Sequence, residues 1–125
     1  MKKTVVFDFD GVIHKYSKGW LDGSIYDEPT PGIYFVIEKL RNSGYEVVVV
    51  SSRCSTPEGI AAIDNYLKSY GIIVDRICKE KPPALVYVDD RAICFDGNSD
   101  TLYDKIISFK TWQQKEKTNN ASKLF

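Results

Sequence analysis

Short continuous apolar runs alternate along this chain with longer segments whose apolar positions recur at helical spacing. Val5-Val6-Phe7 runs into Asp8, residues 46–50 read Glu-Val-Val-Val-Val, and Leu85-Val86-Tyr87-Val88 is a third run. Runs of this length without polar alternation are what parallel strands covered on both faces require. Between the first two, Ile33, Val36, Ile37 and Leu40 fall on one helical face, with Thr30 as capping residue, Pro31 at the first helical position and Gly44 at the end. A second helix starts in Ser55-Thr56-Pro57-Glu58, either as a capping box from Ser55 or with Thr56 as cap. It places Ile60, Ile63 and Leu67 on one face and closes at Gly71.

The next stretch is harder to place. Only about six residues separate Ile77 from Ala84, whereas two parallel strands normally need a crossover of roughly a dozen. Either residues 72–77 are a short, irregular edge strand, or residues 79–83 run extended across the sheet, a path that suits proline-biased backbone. Beyond Asp90 the pattern predicts a short strand at Ile93–Phe95, a turn at Asp96-Gly97, a helix from about Asp100, and a frayed polar tail from Gln113. This order predicts an α/β fold, a three-layer α/β/α sandwich around a mostly parallel sheet. Residues 1–112 form its single domain, with a flap-like insert at about 12–29 and a polar tail at 113–125.

Composition narrows the class. At 125 residues the chain has room for one ordinary core. Seventeen Lys and Arg offset seventeen Asp and Glu, so no global field steers the protein toward nucleic acid or an anionic membrane. No secretory leader and no apolar run near the ~20 residues of a membrane span is visible, which predicts a cytoplasmic protein with no membrane partner. Cys54, Cys78 and Cys94 read as reduced thiols. The only histidine, His14, shows no evident partnership with Cys54.

Parallel strands deliver functional residues to their carboxyl ends, and the apolar runs here give way to Asp8 and Asp10, then Ser51-Ser52-Arg53, then Asp89-Asp90. Period-two geometry puts Asp8 and Asp10 on one side of the chain. Neighbouring carboxylates repel unless a cation or proton lies between them, and magnesium is the usual cation of an oxygen-only site. With hydroxyl and guanidinium donors for phosphate oxygens on the next strand, the set has the parts needed for phosphoryl transfer.

In that order, over residues 4 to about 97, the sequence resembles the haloacid dehalogenase superfamily. Its phosphatases carry Asp-x-Asp after the first strand, Ser or Thr after the second, a lysine before the fourth and an acidic pair after it. The resemblance implies a magnesium-dependent phosphomonoester hydrolase in which Asp8 is the nucleophile that becomes an aspartyl-phosphate and Asp10 is the acid and base. It implies phosphate binding by Ser51, Ser52, Arg53 and a lysine, either Lys81 or Lys79. Magnesium would be held by Asp8, Asp10 (through its backbone carbonyl), Asp89 and Asp90, with Asp90 the more direct of the last two. Ser-Ser-Arg is also similar to the Ser-Gly-Arg of the superfamily's polynucleotide phosphatases.

Many relatives insert a cap domain, for which the twenty or so residues between Asp10 and Pro31 leave no room. Capless relatives act on large or exposed phosphate esters, or assemble so that a neighbour covers the site, so a homo-oligomer is one expectation. Tyr16, Trp20 and Tyr26 of the flap, with His14, either stack on a base or sugar or pack the loop onto the core. The expected partner is a phosphorylated small molecule or exposed ester. A polynucleotide end is an alternative that the charge does not itself indicate, and a non-catalytic phosphate- or nucleotide-binding module is another.

Overall fold

Strands β1 (Thr4–Asp8), β2 (Glu46–Val50), β3 (Arg76–Cys78) and β4 (Val86–Val88) form a parallel sheet in the order β3-β2-β1-β4, in a computed structural model that describes residues 3–123. Four α-helices accompany it: α1 (Ile33–Asn42), α2 (Pro57–Ser69), α3 (Leu102–Ile107) and α4 (Trp112–Lys123). This is a small α/β fold of Rossmann-like kind. The chain divides into two compact units, the first reaching to Asp89 and the second beginning at Asp90. No helix among the described residues is long and apolar enough to cross a membrane.

Register brings the strand ends into line. Asp8 pairs with Val50, and Val50 with Cys78, while Phe7 pairs with Val88, so Asp8, Ser51 and Asp89 emerge at the same carboxyl edge. Val5, Phe7, Val47 and Val49 point to one face and are buried there with Ile37 of α1 and Ile63, Tyr66 and Leu67 of α2. The alternate residues Val6, Val48 and Val50 form a second apolar cluster on the opposite face, packed with Cys78 and Ala84. The unbroken apolar runs of β1 and β2 result from this two-sided burial.

The segment between β3 and β4 satisfies both halves of the open alternative. Arg76–Cys78 is a three-residue edge strand, and the seven intervening residues cross to the opposite edge without a helix. Three strand spacings amount to ~14 Å, and seven extended residues reach ~23 Å. The helical crossover is therefore dispensable.

Several expectations are corrected. Thr30 does not cap α1: Gly32, at φ 84°, occupies that position without a side-chain hydrogen bond. The Thr30 N–H donates to the Ile13 carbonyl at 2.8 Å, while its Oγ1 is buried and makes no hydrogen bond to the helix. For α2 the cap is Thr56, whose hydroxyl accepts from the Gly59 N–H at 3.1 Å. Val36 and Ile60 lie at the exposed margins of their helical stripes. β4 is an edge strand rather than a doubly covered one, and Val86 is 49% exposed.

The second unit also departs from expectation. Residues 93–95 form no strand. Of the segment 113–125, expected as a frayed tail, residues 113–123 belong to α4, and 124–125 lie outside the described residues. Its start is a capping box, in which Gln114 N–H donates to Thr111 Oγ1 at 3.3 Å and Thr111 N–H donates to Gln114 Oε1 at 2.9 Å.

One close approach shapes the region behind the strand edge. Residues Ser52–Ser55 form a 3₁₀ turn leading into α2, and a Cβ built on Gly59 would stand 1.7 Å from the Arg53 carbonyl oxygen. Only glycine lets the first turn of α2 press against that peptide. Gly59→Ala is expected to cost roughly 2–3 kcal/mol, the scale of an overpacked core, and chemical denaturation of the two proteins checks it.

Candidate active site

Asp8 ends β1 half-buried at the carboxyl edge. One carboxylate oxygen each of Asp8, Asp89 and Asp90 lies within 4.8 Å of the others. Asp90 opens the second unit, but its peptide bond to Asp89 ties it to the end of β4. Such a group of hard oxygen donors has the chemistry that divalent magnesium takes, and the mutual repulsion of its members favours a cation among them. The side chain of Asp10, the fourth expected ligand residue, points elsewhere.

Lys81 enters this acidic group. Its Nζ donates to Asp89 Oδ2 at 2.9 Å, and its ammonium lies 5.9 Å from the centroid of the Tyr87 ring. The hydrogen bond to Asp89, opposed by partial burial and reinforced by the charges of Asp89 and Asp8, raises the lysine pKa above its ordinary value. Lys79 is exposed outside this group. Of the two lysines left open by the sequence, Lys81 is the one beside the carboxylates.

Asp10 is held by two cation-capable partners that sequence reading missed. Arg53 Nε donates to Asp10 Oδ2 at 2.8 Å and its second nitrogen, Nη2, donates to Asp10 Oδ1 at 3.1 Å, a bidentate fork. Asp10 Oδ1 also receives a 2.8 Å bond from His14 Nδ1. The Asp27 N–H donates to His14 Nε2 at 3.1 Å, so the ring proton sits on Nδ1 and is directed at Asp10. Burial pushes the Asp10 pKa up, but hydrogen bonds from His14 and Arg53 and the Arg53 charge outweigh it, leaving the carboxyl below its ordinary value.

Around this pair the flap closes. His14 is fully buried, with Phe9, Tyr16, Tyr26 and Tyr66 packed about its ring at centroid distances of 5.1–5.7 Å. Tyr66 on α2 donates its hydroxyl to the Asp27 carbonyl at 3.0 Å, and Ser17 donates from Oγ to Asp27 Oδ2 at 2.6 Å. Tyr16 and Tyr26 thus pack the loop onto the core. Trp20, by contrast, is 67% exposed.

Ser51 is buried at the end of β2, where its N–H donates to the Cys78 carbonyl and its Oγ accepts from the Arg53 N–H at 3.1 Å. The hydroxyl therefore caps the 3₁₀ turn while standing beside the end of β1. Ser52 is exposed on that turn. Arg53, expected to face phosphate, is engaged with Asp10 and with the Gly23 carbonyl. Cys54 is buried, which pushes its thiol pKa up and disfavours the thiolate.

No protein-family model and no curated protein matches this sequence. Among solved structures, the fold is similar to a chain of the Pnkp1/Rnl/Hen1 complex, with a TM-score of 0.53 and 17% identity over 90% of this chain and 36% of that one. It is also similar to a chain of the Pnkp1/Rnl/Hen1 RNA repair complex, with a TM-score of 0.51 and 16% identity over 90% of this chain and 33% of the other. The present chain spans about a third of the chains it matches. Identity this low carries the α/β fold alone.

Because its folded pKa is depressed, Asp10 contributes stability that is fully present above its unfolded value of 3.8 and is lost as pH falls through the lower folded value. Arg53→Met is expected to destabilise the metal-free protein by roughly 3 kcal/mol near neutrality, since it leaves a mostly buried carboxylate without its main partner. It is also expected to flatten the acid limb below pH 3.8. Denaturant titrations of both proteins across that range check the pair.

Proposed function

We propose that this chain is a magnesium-dependent phosphomonoester hydrolase working through an aspartyl-phosphate on Asp8. The observation that supports it is the convergence on one strand edge of Asp8, the Asp89–Lys81 pair and Asp90, with Ser51 beside them on the neighbouring strand. In this reading the fold is a three-layer sandwich without a cap domain, and residues 12–29 stand where relatives carry one.

Asp8 attacks phosphorus, the ester P–O bond breaks, and the aspartyl-phosphate forms; water then displaces phosphate and restores the carboxylate. Lys81 and Ser51 would donate to the phosphoryl oxygens as charge shifts onto them. Asp10 would accept the water proton in the second displacement; its partners keep it ionised but also weaken it as a base, so an oxygen has to be released from the Arg53 fork beforehand. Its return of a proton to the leaving oxygen in the first requires the Arg53 fork to loosen, and a substrate phosphoryl group is itself a competing partner for that guanidinium. Asp8, Asp89 and Asp90 would hold magnesium, which supplies charge neutralisation between carboxylates and phosphate.

The substrate reading has a second form. One structural neighbour is a chain of an RNA repair complex, and the site is framed by a loop rather than a cap, so a phosphorylated polynucleotide end is a candidate alongside small phosphate esters. The same neighbours are chains of multi-protein complexes, so assembly with other subunits or with itself belongs to this proposal too.

Phosphate release from a panel of monoesters, with magnesium and with a chelator, tests the reading. Wild type is expected to turn over only with magnesium, and Asp8→Asn to be inactive while folded; normal rates in Asp8→Asn sink the assignment. Lys81→Met is expected to lower kcat by roughly 10²–10³-fold, the weight of one donor aimed at developing charge, whereas Lys79→Met is expected to stay near wild type. Equal losses in the two lysine variants would remove Lys81 from the site.

A further inference from the structure

Trp20 is the one large aromatic of the flap that the core does not absorb. It is 67% exposed, and leaving an indole in water forfeits one of the larger burial gains a side chain offers. Yet its mount is built. The Arg53 guanidinium lies 5.6 Å from the ring centroid, and a Cβ on Gly23, at φ 87°, would come within 3.3 Å of the indole edge. Glycine at 23 thus lets the ring lie against the backbone. The preceding turn is fixed by Tyr26, whose hydroxyl donates to the Gly19 carbonyl at 2.8 Å and accepts from the Lys18 N–H at 2.9 Å.

The same guanidinium that carries the indole grips Asp10 at 2.8 Å. Added through the short guanidinium bond, these contacts put the Trp20 ring within about 10 Å of the Asp10 carboxylate, a span of the order of one nucleotide from its phosphorus to its base.

We propose that Trp20 is a stacking platform for the nucleobase of the nucleotide whose phosphate enters the site. This rests on the phosphatase reading and names its substrate class as a base-bearing phosphomonoester. Net charge supports a contact of this kind over backbone tracking. A chain of zero formal charge offers a polyanion no net attraction, so affinity for a nucleotide rests on local contacts, and a π-face accepts any base. Arg53 holds one side of the indole by a cation–π contact and leaves the exposed remainder for the base.

The experiment compares wild type, Trp20→Ala and Trp20→Phe on adenosine monophosphate, ribose 5-phosphate, and 3′-phosphorylated oligonucleotides whose terminal residue carries or lacks a base. In Trp20→Ala the ratio of kcat/KM for base-bearing over base-free substrates is expected to fall roughly tenfold or more, the weight of one stacked base, and Trp20→Phe to restore most of it. Mononucleotide and oligonucleotide arms separate a free nucleotide from a polynucleotide end. In parallel, the fluorescence lost between Asp8→Asn and Asp8→Asn/Trp20→Phe is followed as adenosine monophosphate or ribose 5-phosphate is added, and quenching by the nucleotide alone is expected. Turnover with an unchanged ratio overturns the stacking role and leaves the phosphatase reading standing. Base-specific quenching without turnover on any substrate supports the platform and removes the phosphatase reading, and absence of both overturns both.

Discussion

The bidentate bond between Arg53 and Asp10 is the constraint on which the flap, the strand edge and the start of α2 jointly depend. Asp10 comes just after β1, Arg53 sits in the turn after β2, and the guanidinium's remaining donor reaches the Gly23 carbonyl in the flap. Its own backbone is tied down as well, by the Ser51 hydroxyl on one side and by the close approach of Gly59 on the other. The side chains of the pair are 9% and 21% exposed, so removing either partner strands a largely desolvated charge. That penalty, together with the burial of Ile13 in the core, sets where residues 12–29 lie.

Two classes of carboxylate result at one edge. Asp10 faces a guanidinium and a histidine whose proton is aimed at it, and it is stabilised as an anion without further help. Asp8, Asp89 and Asp90 face each other, with Lys81 bonded to Asp89 and felt by Asp8. A divalent cation has electrostatic reason to enter the second group and little to enter the first, whose oxygens are already spoken for. The proposed division of labour between a nucleophilic, metal-attracting cluster and a separate proton acceptor would thus follow from which cations the fold brings to which strand end.

Strand ends were readable because their chemistry is local. A continuous apolar run followed by Asp or Ser places that residue at a carboxyl edge whatever the rest of the fold does, so Asp8, Ser51 and Asp89 could be found from spacing alone. The partners of Asp10 could not. Arg53 lies 43 residues away, and His14, four residues on, meets Asp10 through an irregular loop, without any helix between them. The signal that was present was circumstantial: a sole histidine just after Asp-x-Asp in a run rich in tyrosines. Elsewhere a local signal was overlooked. Thr111-Trp112-Gln113-Gln114 has the spacing of a capping box, but the polar composition beyond it concealed the helix it begins. Thr30 failed in the opposite sense: a good capping residue lies two positions ahead of Gly32, where the helix is entered, with its backbone N–H bonded to Ile13.

Size explains why the loop is built from polar bonds. A short insert has too few apolar side chains to make a core of its own, and here its largest one, Trp20, is left outside. Order comes from Ile13, fully buried in the core with Val12 and Ile25 against it, and from groups that must be satisfied where they are buried: the His14 ring nitrogens, the Asp27 carboxylate with Ser17, and the Tyr66 hydroxyl on the Asp27 carbonyl. Hydrogen bonds of this kind contribute modestly when made and cost more when one member is lost, which favours a single loop geometry over a set of loosely packed ones. The flap therefore presents Trp20 beside Asp10, and that placement derives from the same Arg53 that holds the Asp10 carboxylate.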